Sequence, residues 1–152
     1  MRVDLETGEL VPERVAAYSQ RMRKGWQMVR KYGLFTLKEE SVLNALADHL
    51  NYRNQIVDGE VPMTPAMMAR VLFEDRNNFL KVLKSLQRKN AVGCWKSNEI
   101  EIWYVNPALY RRGRGHKEIL SSFSDAAKER ERQGARLFNL PHEKYHSSLV
   151  QP

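Results

Sequence analysis

Two sets of residues in this 152-residue chain have the types and spacing to do chemistry. The first, His142-Glu143-Lys144-Tyr145-His146, has the H-E-x-x-H spacing that sets two imidazoles on one helix face for zinc, with the glutamate as general base. That chemistry needs a buried helix and, for a catalytic ion, a third protein ligand. Pro141 stands directly before the motif, the surroundings are polar, and His49 and His116 are the only other histidines, so no zinc site is expected. The second set is Arg76, Asn77, Asn78, Lys81, Lys84, Ser85 and Arg88. At about 100° per residue, Asn77, Lys81, Lys84 and Arg88 share a narrow arc, flanked by Asn78 and Ser85, opposite an apolar stripe of Phe79, Val82, Leu83 and Leu86. The polar arc contains no acid. Asn and Ser can read base edges, and Arg and Lys can bind guanine or phosphate. A face that is merely solvated usually mixes charge signs.

Such a face needs a helix held firmly along its other side, and the flanking pattern supplies one. Thr36-Leu37-Lys38-Glu39 is a capping box, followed at helical spacing by Val42, Leu43, Leu46, Ala47 and Leu50. Residues 52–63 read as a connector. Thr64 caps a short helix with Pro65 at its first position, where the missing N–H costs nothing, and Met63, Met67 and Met68 read as core filler. Phe73-Glu74-Asp75 is a tight turn whose Asp75 caps the helix over 76–89, which Asn90 ends in a left-handed conformation. The period then changes. Residues 92–95 and 100–105 are strand-like and joined by Lys96-Ser97-Asn98-Glu99, and Asn106-Pro107 stops the second strand.

The order helix, short helix, turn, longer helix and hairpin is that of a winged helix-turn-helix, whose second helix of the motif enters the major groove. The expected fold is mainly α with a small β-hairpin wing and helical extensions at both ends. Its expected parts are a partly helical, basic extension over 1–32 that opens with a short hairpin, the winged domain over 33–115, a helix over 116–140 and a flexible tail over 141–152. Lys96 and Asn98 would approach DNA at the wing tip. Arg111, Arg112 and Arg114, interleaved with Gly113 and Gly115, read as a flexible cationic loop for phosphates or a narrow minor groove. Trp95 and Trp103 are expected to pack the wing on the helices, the alternative being a stacking platform for single-stranded nucleic acid.

Composition points the same way. The chain carries a net charge of +7, and residues 76–115 alone hold nine Lys/Arg against two Asp/Glu. A local excess of that size attracts phosphates, because neutralising them releases condensed counterions. Cys94 is the single cysteine and no apolar run reaches the ~18 residues of a membrane span, so a reducing cytoplasmic setting is expected. No phosphate-binding loop, nucleophile elbow or carboxylate cluster is present in the sequence. The expectation is a non-enzymatic protein without cofactor or metal that binds double-stranded DNA. A homodimer through residues 116–138 or the N-terminal helix is compatible with this reading, as are contacts with host replication or transcription machinery. A protein-docking winged helix is the reading from another class.

Gly33-Leu34-Phe35-Thr36-Leu37, Asn54-Gln55-Ile56, the helix-turn-helix over 64–89, and Tyr104-Val105-Asn106-Pro107 with Gly113 after it resemble the RepL-type plasmid and phage replication proteins. Val3-Asp4-Leu5-Glu6-Thr7-Gly8-Glu9 is similar to the opening of related phage proteins. The resemblance covers about two-thirds of the chain. It implies a winged helix-turn-helix, a role in plasmid or phage replication, and Arg76, Asn77, Asn78, Lys81 and Lys84 as major-groove residues. A transcription regulator on an operator is the alternative role. The turn Phe73-Glu74-Asp75 and the polar helix after Gly115 depart from the family pattern.

Overall fold

The helices of the central region each begin on a side chain that takes up orphan backbone donors. Thr36 Oγ1 accepts from the Glu39 amide at 3.1 Å while Glu39 Oε1 accepts from the Thr36 amide at 2.8 Å, closing the capping box. Thr64 accepts from the Met67 amide and Asp75 from the Asn78 amide, at 3.3 and 3.0 Å. The computed structural model describes residues 2–3, 10–11, 19–134, 137 and 138. Among them the order is β1 (Arg2–Val3), β2 (Leu10–Val11), β3 (Gln20–Arg21), α1 (Arg23–Tyr32), α2 (Leu37–Ala47), β4 (Val57–Asp58), β5 (Val61–Pro62), α3 (Pro65–Val71), α4 (Arg76–Arg88), β6 (Val92–Ser97), β7 (Ile100–Val105), β8 (Tyr110–Arg111) and α5 (Lys117–Arg132).

Helices α2, α3 and α4 with the β6–β7 hairpin form a winged helix-turn-helix. Phe79, Leu83 and Leu86 of α4 are buried against Leu43 and Leu46 of α2 and Met68 of α3. At about 1.5–3 kcal/mol for each fully buried side chain, this packing holds a 13-residue helix that would be marginal alone. The wing pairs Val92 with Val105 through Ser97 with Ile100, and Asn98 and Glu99 turn it with φ of 51° and 67°. That is the doubly left-handed two-residue turn whose twist suits a hairpin.

Residues 52–63 are more than the expected connector. Ile56 donates its N–H to Trp103 O at 2.8 Å and Val105 donates to Asn54 O at 3.1 Å, forming an isolated antiparallel bridge of Gln55 to Tyr104 beside the wing. Gly59-Glu60 then turns the β4–β5 hairpin, with Gly59 at φ 64°. Asn54, fully buried, donates its side-chain amide to Val105 O and Tyr110 O and accepts from the Arg112 N–H. Asn106 donates to Asn90 O at 2.9 Å and accepts from the Ala108 N–H. The asparagines of the family-like motifs therefore stitch the base of the wing.

Both expected extensions are revised. β1 and β2 pair as the expected N-terminal hairpin, but α1 belongs to the central core: Trp26 and Val29 are buried, and Trp26 Nε1 donates to Leu109 O at 3.1 Å. The expected 116–140 helix is shorter. α5 ends at Arg132, Gly134 turns the chain at φ 82°, and Phe138 is fully buried with its N–H donating to Lys89 O at 2.7 Å. An apolar pair, Leu137 and Phe138, gains more by folding onto the core than by extending a polar helix. The tail over 141–152 lies outside the described residues.

The α3–α4 turn is tied to α2 by Lys38 Nζ and Glu74 Oε1 at 2.6 Å. Its first residue, Phe73, sits at φ 56° with its side chain 97% exposed. A left-handed non-glycine residue costs roughly 1–2 kcal/mol, and this ring recovers nothing by burial. Glycine would remove the strain at the cost of unfolded-chain entropy. Phe73→Gly is therefore expected to raise unfolding free energy by roughly 0.5–1 kcal/mol, checked by urea denaturation. A fall in stability would show that the ring packs on something in solution.

His116, just before α5, is 5% exposed, and its Nε2 is buried without a hydrogen-bond partner among the described residues. Burial, reinforced by the Arg111 charge, holds its pKa below the usual imidazole range against the opposing pull of the Arg112 and Gly113 backbone. The folded imidazole is thus neutral where the unfolded one binds a proton. Its contribution is complete above the unfolded pKa, about 6.5, and declines as pH falls through and below it. Melting temperature is expected to drop from pH 7.5 to pH 5, and His116→Gln to flatten that slope. An unchanged slope in the variant would remove His116 as its source.

Candidate nucleic-acid interface

The outward face of α4 is the candidate site. Arg76, Asn77, Asn78, Lys81, Lys84 and Arg88 are all exposed. Asn77, Lys81, Lys84 and Arg88 point away from Phe79, Leu83 and Leu86, because helical geometry sets these two groups on opposite sides, while Asn78 flanks them and Arg76 lies at the edge nearest Leu83. Arg76, Lys81, Lys84 and Arg88 form no ion pair among the described residues, and α4 contains no acid. Arg76 and Leu80 also line a shallow cleft of about 370 Å³ against Thr64, Pro65 and Ala66 at the start of α3.

Ser85 does not join this face. Its hydroxyl donates to Glu39 Oε2 at 2.5 Å, and Lys89 Nζ pairs with Glu39 Oε1 at 2.6 Å. Burial alone would raise the Glu39 carboxyl, but hydrogen bonds from Lys89, Ser85 and the Thr36 backbone outweigh it and hold the pKa below its usual value. One buried carboxylate thus clamps the C-terminal half of α4 to the start of α2.

The basic loop divides. Arg111 belongs to β8, paired with Gln20, and its half-buried guanidinium donates from Nε to Pro107 O at 3.3 Å. Burial lowers its pKa. Arg112 donates to Leu50 O and lies over the Tyr52 ring at 5.2 Å. Both were expected on a flexible segment; the structure uses them to hold the region after the wing. Arg114 remains exposed. At the wing tip Lys96 and Asn98 are exposed as expected, but Glu99 and Glu101 are exposed beside them, and Glu101 lies directly opposite Lys96. The two acids offset the attraction of the wing for phosphates.

The tryptophans are packed. Trp103 is 7% exposed, and Trp95 meets Phe123 of α5 edge-to-face at 4.9 Å and Tyr104 at 5.7 Å. Neither offers the open ring that stacking on single strands requires. The H-E-x-x-H segment lies outside the described residues. Among the described residues no group of three His, Cys, Asp or Glu side chains is placed to hold a metal, and no helix is long and apolar enough to cross a membrane.

The fold and this site define a class, a winged helix-turn-helix protein whose acid-free second motif helix has an outer face exposed among the described residues. No family model matches the chain, and no curated protein matches it. Among solved structures the chain is similar to one described as the crystal structure of an S. aureus MepR–DNA complex, at 12% identity and a TM-score of 0.38, over 84% of this chain and 81% of that one.

Proposed function

We propose that this chain is a non-enzymatic protein that binds double-stranded DNA with α4 in the major groove. The observation carrying this reading is the α4 face, where Asn77, Lys81, Lys84 and Arg88 are exposed, free of ion pairs among the described residues, and without an acidic neighbour on the helix. An operator-binding transcription regulator asks for nothing more than this face and the wing. A plasmid or phage replication protein rests in addition on the RepL-type resemblance. The roles differ in their footprints: one palindrome over a promoter for the regulator, repeated sites in an AT-rich origin for the replication protein.

Mobility shift on random duplex tests the shared claim. Binding is expected at low salt and should weaken steeply as salt rises, with single strands bound less well. No shift at low salt would sink the DNA reading in both forms.

A further inference from the structure

α4 is not the only helix with a one-signed outer face. On α1 the buried residues Gly25, Trp26 and Val29 lie on one side, and Arg23, Lys24, Gln27, Arg30 and Lys31 occupy the opposite arc of about 120°, all exposed. Residues 19–38 contain no Asp or Glu. The outer face of α5 shows what solvated helices of this chain look like, since Glu118, Asp125, Lys128, Glu129 and Arg132 mix signs along it. Among the exposed residues of α1 the one apolar ring is Tyr32, and no aliphatic side chain joins it, so the face lacks what a helix needs to enter lipid.

Phe138 ties α1 to α4. The Phe138 N–H donates to Lys89 O at the end of α4, and the Phe138 ring lies 3.3 Å from where a Cβ on Gly25 would stand. α1 is therefore fastened to the C-terminal end of α4. With 13 residues, α4 is about 20 Å long, against a major groove about 12 Å wide. If α4 spans the groove it overshoots it, bringing an end to the bordering backbone, and α1 sits at its C-terminal end.

We infer that the outer face of α1, through Arg23, Arg30 and Lys31, is a second DNA contact that binds phosphates flanking the site read by α4. It rests on the DNA-binding reading above. It supplies affinity and footprint length without reading bases.

The test uses a site selected from a random duplex pool, placed once in a duplex with long flanks and once in a duplex trimmed to the site. For Arg23→Ala/Arg30→Ala/Lys31→Ala, the slope of log affinity against log salt on the long duplex is expected to fall by about 2–3. On the trimmed duplex the variant and wild type should coincide, and Arg23→Lys/Arg30→Lys should keep the wild-type slope. All three positions are exposed, and a melting temperature matching wild type separates a lost contact from a lost fold. Lys31→Ala alone should give about a third of the change in slope. An unaltered slope on the long duplex, or an equal loss on both duplexes, overturns this inference. If Lys81→Ala/Lys84→Ala weakens binding while the α1 variant does not, only the α1 contact falls. If wild-type protein fails to bind duplex at low salt, the DNA reading falls and takes this contact with it.

Discussion

Lys81→Ala/Lys84→Ala is expected to weaken duplex binding most at low salt and to lower the salt slope by about 2, because each phosphate neutralised on B-DNA contributes about 0.9 to that slope. The gap between variant and wild type should accordingly narrow about tenfold between 50 and 200 mM salt. Both lysines are exposed and form no ion pair among the described residues, so the melting temperature should hold. Lys81→Arg/Lys84→Arg should restore the slope. Asn77→Ala should behave differently, relaxing sequence preference by about 1–3 kcal/mol at one base pair with little change in salt dependence. An unchanged slope in the double alanine variant would mean that another surface meets the phosphates, and the α4 reading would be abandoned.

Gly25→Ala is the second large effect, and here helix propensity and tertiary packing give opposite signs. Inside a helix, alanine is favoured over glycine by roughly 0.5–1 kcal/mol. Yet a Cβ on Gly25 would stand 1.9 Å from the carbonyl oxygen of Ala108, a backbone atom with no rotamer to yield. α1 would have to withdraw from the segment that Trp26 binds through Leu109 O. Overpacking of this kind costs about 1–3 kcal/mol or more, which outweighs the propensity gain. At about 2–4 °C per kcal/mol for a chain of this size, melting should fall by several degrees, read by thermal denaturation. A rise in melting temperature would mean that the α1–Ala108 approach is looser than described. Because α1 is fastened to α4 through Phe138, the same substitution should also weaken binding to long duplexes.

Much of the site was open to reading because its signals are short-range. A cap acts across three residues, as at Thr36, Thr64 and Asp75, and a helix converts spacing directly into direction, as for Phe79, Leu83 and Leu86 against Lys81, Lys84 and Arg88. The change of period after Asn90 announced the wing. Ser85, Arg111 and Arg112 were misplaced for the opposite reason. Ser85 meets a carboxylate 46 residues away and Arg112 a carbonyl 62 residues away, and nothing in the local spacing of a serine or arginine names such a partner. For Arg111 the local pattern Arg-Arg-Gly-Arg-Gly suggested looseness, whereas pairing with Gln20 made it a strand. The wing-tip acids Glu99 and Glu101 were visible in the sequence, and their weight became clear only when the register set Glu101 across from Lys96.

Caps, apolar periods and the sign of each helix face are properties of a few neighbouring residues, so the amino-acid order alone settled the winged helix-turn-helix and the cationic side of α4. Which polar groups stay free for a partner depends on what the chain brings back to them from afar. Folding spent Asn54, Asn106, Ser85 and Arg112 on internal hydrogen bonds, because a buried donor or acceptor left unpaired costs more than its pairing gains. The same return of distant segments set Phe138 between α1 and the end of α4, fastening α1 to the C-terminal end of that helix.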